Sequence, residues 1–263
     1  MNRWALILGS SSGIGRAAAL KLAADGYDIL GVHFDRRAAQ PRIAELRAAI
    51  EHLGRRVILF NTNLARPDNR QQVLDQLRDT IDTSSPHNGD ARIAVILHSV
   101  AFGVTRPLIG EGSASEDDLT VTCAVMGHDL VHWVRGLVER DLLASPGRVL
   151  SMTSEGDRRH WRAYGPVSAA KAILESHTRQ LAIELAPRAV TVNCILAGVT
   201  DTPALRVIPG NDDIVAASIR RNPHRRLTTP EDVADAVSLM CDPRSAWITG
   251  SVISCDGGET ITA

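Results

Sequence analysis

Leu6-Ile7-Leu8-Gly9-Ser10-Ser11-Ser12-Gly13-Ile14-Gly15-Arg16-Ala17-Ala18 is the stretch on which the fold turns. A short apolar run ends in a glycine-rich turn, and an Ala/Leu-rich helical pattern starts at once. Strand, then Gly-x-x-x-Gly-x-Gly, then helix is the order a dinucleotide pyrophosphate needs. Glycines let the backbone approach the phosphates, and the first helical turn offers unpaired N–H groups at the positive end of the dipole. The turn therefore predicts a cradle of Gly9, Ser11, Ser12, Gly13, Ile14 and Gly15. The competing reading of the same residues is an ordinary Gly/Ser turn, and the rest of the chain bears on the choice.

Outward from this turn, apolar runs alternate with helical patterns. Strand-like runs fall at 4–8, 28–33, 57–60, 93–98, 148–152, 190–195 and 251–254. Helical patterns fall near 14–24, 40–53, 69–81, 116–140, 167–186 and 230–240. Strands separated by helices imply right-handed crossovers, hence an α/β, Rossmann-type doubly wound sheet of about seven parallel strands with helices on both faces. Residues 83–90 read as a polar connection. Residues 202–229 read as a Pro-, Asn- and Arg-rich insertion placed to serve as a substrate-side loop.

The 263 residues suit one dinucleotide-binding and catalytic domain spanning 1–263. A net charge of −1 favours neither nucleic acid nor an anionic membrane as partner. No apolar run approaches a membrane span and no signal peptide is evident. Cys123, Cys194, Cys241 and Cys255 lack paired spacing and predict buried thiols in a reducing, cytoplasmic setting.

With only two tyrosines in the chain, Tyr164 stands out, seven residues before Lys171. Seven residues is about two helical turns, so both side chains can share a face if the helix reaches back to Tyr164. Pro166 is tolerated in a first turn. An ammonium beside a phenol favours the phenolate and suits proton donation or enolate stabilisation. Ser154 follows a buried strand at its carboxyl end, the edge that faces the crevice in such sheets. The bland alternatives are a surface tyrosine, a solvated lysine and a serine that caps the strand end. His128 and His132 lie four apart, but without a third ligand they read as a helix face, and no metal site is expected.

These residues together resemble the short-chain dehydrogenase/reductase family over about residues 3–262. The resemblance extends to Asn63-Leu64 after the third strand, where the family contacts adenine, and to the stretch from Asn193 through Gly198-Val199-Thr200-Asp201-Thr202, similar to its nicotinamide-side loop. Thr229-Pro230-Glu231-Asp232 and Asp256-Gly257-Gly258 complete it. Most members place the tyrosine four residues before the lysine, where this chain has Val167, and carry a relay asparagine where it has Ala124. The wider Tyr164–Lys171 spacing and His98-Ser99-Val100, in place of an Asn-Asn-Ala-Gly stretch, resemble the enoyl-acyl-carrier-protein reductases that keep the ordinary glycine motif. The resemblance implies reduction of the carbon–carbon double bond of an α,β-unsaturated acyl thioester, carried by coenzyme A or acyl carrier protein. Tyr164, Lys171 and Ser154 would be catalytic, with Lys171 also on the nicotinamide ribose and His98, Ser99 and Val100 near the cofactor. The alternatives are a carbonyl or ketoacyl reductase of the same family and a nucleotide-binding protein without turnover. The resemblance also implies a homotetramer packed through 119–138 and 167–185.

Cofactor choice rests on the end of the second strand, His33-Phe34-Asp35-Arg36-Arg37. An acid there would bind ribose hydroxyls, whereas Arg36 and Arg37 match a 2′-phosphate. The expectation is NADPH, with NADH the alternative if Asp35 takes the ribose.

Overall fold

In the computed structural model, residues 3–83, 91–159 and 161–262 are described. Seven parallel strands form one sheet: β1 (Arg3–Leu8), β2 (Asp28–His33), β3 (Val57–Asn61), β4 (Arg92–His98), β5 (Leu143–Ser154), β6 (Val190–Ala197) and β7 (Val252–Cys255). Their order across the sheet is β3-β2-β1-β4-β5-β6-β7, the doubly wound topology the sequence predicts. The winding reverses between β1 and β4, so a crevice opens at their carboxyl ends.

Helices α1 (Gly13–Ala24), α2 (Gln40–His52) and α9 (Pro230–Cys241) cover one face. Their side chains Ala18, Leu22, Leu46 and Val237 pack on Ala5, Ile7 and Ile29. On the other face lie α3 (Pro67–Thr83), α4 (Glu116–Cys123), α5 (Asp129–Glu139) and α6 (Gly165–Leu185). There Leu74, Leu77, Trp133 and Leu174 meet Leu6, Leu8 and Ile96. Burial on both sides explains why the central strands read as continuous apolar runs rather than alternating ones.

Three expectations change in detail. The helix expected over 116–140 is interrupted by a π-helical turn at Ala124–His128. Gly127 sits there against Ile173 and the Ala170 carbonyl, so α6 approaches more closely than a side chain would allow. The widened turn points Val125 and Met126 inward. Strand β5 starts at Leu143, five residues before the expected start, because Leu143 already pairs with Ile93 across a register irregularity. Ser145-Pro146-Gly147 disguised that start as a loop. The insertion at 202–229 contains two helices, α7 (Pro203–Arg206) and α8 (Asn211–Arg221). The polar connection expected at 83–90 lies, from residue 84 onward, outside the described residues. No helix among the described residues is long and apolar enough to cross a membrane.

Between α3 and α5 a charged pair is buried: Arg70 reaches Asp129 at 2.6 Å, and Trp133 donates its indole N–H to the same carboxylate at 2.9 Å. Burial pushes the Asp129 carboxyl up to about 6 despite both partners. Removing one member of such a pair strands the other charge in the core. Asp129→Ala is expected to cost about 3–5 kcal/mol of unfolding free energy in urea titration; a loss below about 1 kcal/mol would mean that Arg70 re-solvates freely.

Candidate active site

The crevice begins where β1 stops. Gly9 adopts φ +89, and a Cβ there would overlap the Ser99 carbonyl at the end of β4. Its N–H and that of Ser10 both donate to the Val32 carbonyl, at 2.8 and 3.2 Å, which folds the turn over the end of β2. Ser12 precedes α1 without capping it through its side chain. The first-turn amides of α1 thus face the crevice with no side-chain cap, as an anion site requires. Gly15 lies against the Gly9 carbonyl and lets the helix sit directly on the turn.

From this cradle a trough runs toward the end of β2. It is lined by Gly9, Ser11, Ser12, Gly13 and Ile14, by His33 and Asp35, by Asn63 and Leu64, and by Ser99, Val100 and Thr202. Shape, uncapped amides and close-packed glycines fit a dinucleotide along its length. At the far end His33 Nδ1 lies 2.9 Å from Asp35 Oδ2, and Arg42 meets Asp35 Oδ1 at 2.8 Å. Asn61 accepts from the Asp35 N–H and donates to its carbonyl, both at 3.0 Å, fixing the loop. Burial holds the His33 imidazole below its usual range, although Asp35 opposes the shift. Arg36 and Arg37 lie exposed just beyond and do not line the trough.

A second cavity, about 250 Å³, adjoins the trough. Ser154 ends β5 with its Oγ 3.5 Å from Tyr164 Oη. Tyr164 is the residue preceding α6, and the helix does reach back to it: Ser168 N–H donates to the Tyr164 carbonyl at 2.9 Å. Gly156 makes room for the phenol, since a Cβ there would overlap the ring. Trp161 meets the ring edge-on, with centroids 6.3 Å apart. Lys171 lies on the same helix and lines the same cavity, so the two side chains share a face as expected. Val167, the family's usual tyrosine position, is a buried apolar wall of that cavity.

The electrostatics differ from the sequence reading. Lys171 is buried and donates to the Met152 carbonyl at 2.7 Å. Burial lowers its pKa to about 8. The Tyr164 phenol is pushed up by burial, opposed by its contact with Ser154, and Asp157 adds to the rise. No lowering by Lys171 offsets it, so the group is a neutral phenol rather than a phenolate held by an ammonium. His98, expected near the cofactor, lies fully buried behind the trough. Burial, then the nearby Lys171 charge, drives it to about 3. The Val125 carbonyl opposes that shift, yet neither ring nitrogen reaches a partner at hydrogen-bonding geometry.

Gly198, Val199 and Thr202 line the cavity beside α7 and α8. Thr202 caps α7 by accepting from the Leu205 N–H at 3.3 Å, while Asp201 pairs with Arg206 at the surface. Leu205, Ile208 and Ile214 from the insertion supply apolar walls opposite Met126 and Trp161. One buried ion network closes the far end. Arg221 of α8 meets Glu155 at 2.9 Å and Glu259 at 2.5 Å, and Glu259 also accepts from the Val199 N–H at 3.2 Å. Sequence reasoning missed Trp161, Met126, Arg221 and Glu259, because residues so far apart in the chain meet only through the topology. His128 faces His177, at 2.9 Å, and not His132. No group of three metal-ligating side chains occurs among the described residues.

The family model described as enoyl-(acyl carrier protein) reductase matches residues 9–260. The chain is 32% identical to a 3-oxoacyl-acyl-carrier-protein reductase of Aggregatibacter actinomycetemcomitans, across 98% of this chain and 99% of that one. Its fold matches the NADH-dependent enoyl-acyl-carrier-protein reductase of Aquifex aeolicus VF5 with a TM-score of 0.85 at 22% identity, covering 100% and 97% of the two chains. It also matches a short-chain dehydrogenase of Burkholderia cenocepacia J2315 in complex with NADP, with a TM-score of 0.82 at 27% identity and 98% of both chains covered. The chain belongs to the short-chain dehydrogenase/reductase family, and is an oxidoreductase of the NAD(P)H-binding type.

Lys171 lines the cavity with Tyr164 and Ser154, where the family resemblance implies a contact with the nicotinamide ribose. Lys171→Ala is expected to weaken NADPH binding at least tenfold, the loss of one charged hydrogen-bond donor of about 1.5–3 kcal/mol. The ammonium form is the donor, so wild-type affinity should fall as pH rises through about 8, and the variant should lack that dependence. Fluorescence titration across pH measures both; equal affinities would place Lys171 outside the cofactor's reach.

Proposed function

We propose that the protein uses NADPH to reduce the carbon–carbon double bond of an α,β-unsaturated acyl thioester. One observation carries this reading. The only phenol in the apolar cavity stands seven residues before Lys171 and next to Ser154, while Val167 at the usual tyrosine position has no proton to give. Bound NADPH would supply hydride. Gly9, Gly13 and the α1 amides would hold its pyrophosphate, and Lys171 its nicotinamide-side ribose. Tyr164 Oη would donate to the thioester oxygen as negative charge develops on it. A neutral, buried phenol is a stronger donor to an oxyanion than a solvated one, since water does not compete. Met126, Trp161, Leu205 and Ile214 would exclude water and hold the acyl chain. The carrier would be acyl carrier protein or coenzyme A.

Carbonyl reduction is the second reading. The Ser154–Tyr164 hydroxyl pair favours it, since two donors can converge on one ketone oxygen, and so does the name of the ketoacyl relative. Oxidation of NADPH with crotonyl and with acetoacetyl thioesters, side by side, separates the two. Turnover of acetoacetyl thioester alone would replace the first reading by the second. In either case Tyr164→Phe should lower kcat about a hundredfold with NADPH affinity unchanged; a fully active variant would exclude Tyr164 as donor.

NADPH is preferred in this reading because Arg42 already neutralises Asp35, the acid that would otherwise accept from the ribose hydroxyls. Arg36 and Arg37 make no side-chain ion pair among the described residues and lie exposed just past the end of β2, where either could turn to a 2′-phosphate. Replacing both by Ala should weaken NADPH binding at least tenfold and leave NADH little changed. Michaelis constants for the two cofactors check this, and a wild-type preference for NADH would reverse the assignment.

A further inference from the structure

Beneath Ser154 and Lys171 lie two carboxyl groups that the chemistry above does not use. Asp157, in the short 3-10 turn after β5, and Glu175, one helical turn past Lys171 on α6, have side chains only 8% and 7% exposed. Thr153, the residue before Ser154, donates its hydroxyl to Glu175 Oε1 at 2.9 Å. Arg158 spans the pair from the surface, 3.5 Å from Asp157 Oδ2 and 3.4 Å from Glu175 Oε2. Asp157 Oδ1 is buried and receives no N–H or hydroxyl donor among the described residues. Because one guanidinium, that of Arg158, reaches both carboxyls, Glu175 and Asp157 are neighbours.

We propose that Glu175 keeps a proton and donates it to Asp157 Oδ1, a positioning element that ties the end of β5 to α6 and so sets where Ser154 and Lys171 stand. Two buried carboxylates this close cannot both stay ionised cheaply, since their repulsion is poorly screened. A proton on Glu175 removes the repulsion and gives Asp157 the donor it lacks. Arg158 is largely exposed, so its guanidinium only partly offsets the remaining charge. Burial and Asp157 both raise the Glu175 carboxyl, opposed by Thr153 and Arg158. The groups facing the pair on the other sides are Lys171, Tyr164 and the Cys194 thiol. Asp157 raises the Tyr164 phenol and Glu175 raises Lys171, so the pair's charge reaches both members of the site. Holding one negative charge instead of two keeps the phenol a better donor.

The pair's protonation rests on no assumption about substrate, whereas its effect on the site rests on the proposed role of Lys171. Unfolded carboxyls ionise near pH 4, whereas burial raises Glu175 in the folded chain, so wild-type stability falls as pH rises from that point until folded Glu175 also ionises. Glu175→Gln carries an amide in place of that carboxyl and lacks the fall. Urea unfolding of the full chain from about pH 4 upward should show the folding constant of the variant gaining on wild type by up to tenfold per pH unit until folded Glu175 ionises, and no further gain above that. Asp157→Asn should gain in the same direction. A ratio that stays constant with pH in both variants would overturn the proton on Glu175. For the positioning role, Glu175→Leu should weaken NADPH binding about tenfold and Glu175→Gln should restore it. Equal losses in the two, or none in either, would reduce the pair to a packing feature. If Glu175→Leu does not fold, Glu175→Gln against Glu175→Ala gives the same comparison. Failure of both thioesters to turn over would sink the proposed substrate and leave the unfolding result standing.

Discussion

Everything in the site hangs on how closely the ends of β1 and β4 approach. The Gly9 turn lies against the Ser99 carbonyl with no space for a side chain, and Ser99 N–H returns the contact by donating to the Leu8 carbonyl at 2.9 Å. That packing occurs where the strand order reverses, so helices leave the sheet in opposite directions on either side of it. The crevice is the space they leave. Moving the turn outward by the radius of a methyl group would pull α1 and its amides away from the trough.

The same constraint explains why the chemistry gathers on β5 and α6. The carboxyl end of β5 borders the crevice, and α6 returns antiparallel along it. Lys171 reaches back to the Met152 carbonyl, Glu175 to the Thr153 hydroxyl, and Thr178 lies 3.3 Å from the Ser151 hydroxyl. Three contacts at successive turns of α6 thus fasten it to consecutive stretches of one strand. A buried ammonium, a buried carboxyl and three hydroxyls at this seam are tolerated because each finds a partner there. The seam holds Ser154, Tyr164 and Lys171 on one rigid unit, while α7 and α8 supply apolar walls of the same cavity. Arg221 joins the two by holding α8 to Glu155 and Glu259.

The relatives differ in chemistry more than in fold. A ketoacyl reductase and an enoyl reductase can share this sheet, because hydride delivery needs the same cradle, while what the phenol meets depends on where it stands along α6. Here the phenol stands at the start of the helix, braced by Trp161 and by the space Gly156 leaves. The usual position has become part of the apolar wall.

Sequence alone determined the sheet and the cradle. Strand and helix periods are local properties, and Gly9 through Gly15 carry their own conformational demand, so the order of elements and the phosphate turn were legible without any contact. The Tyr164–Lys171 spacing was legible for the same reason, since helical geometry fixes which residues share a face. Tertiary structure decided what depends on burial and on distant partners. It withdrew His98 from the crevice, engaged Asp35 with Arg42, gave Lys171 to a backbone carbonyl and raised the phenol instead of lowering it. It also interrupted the 116–140 helix, because only packing against α6 calls for a close approach at Gly127. Electrostatic character follows desolvation and neighbours brought from far along the chain, and neither is written in any window of residues.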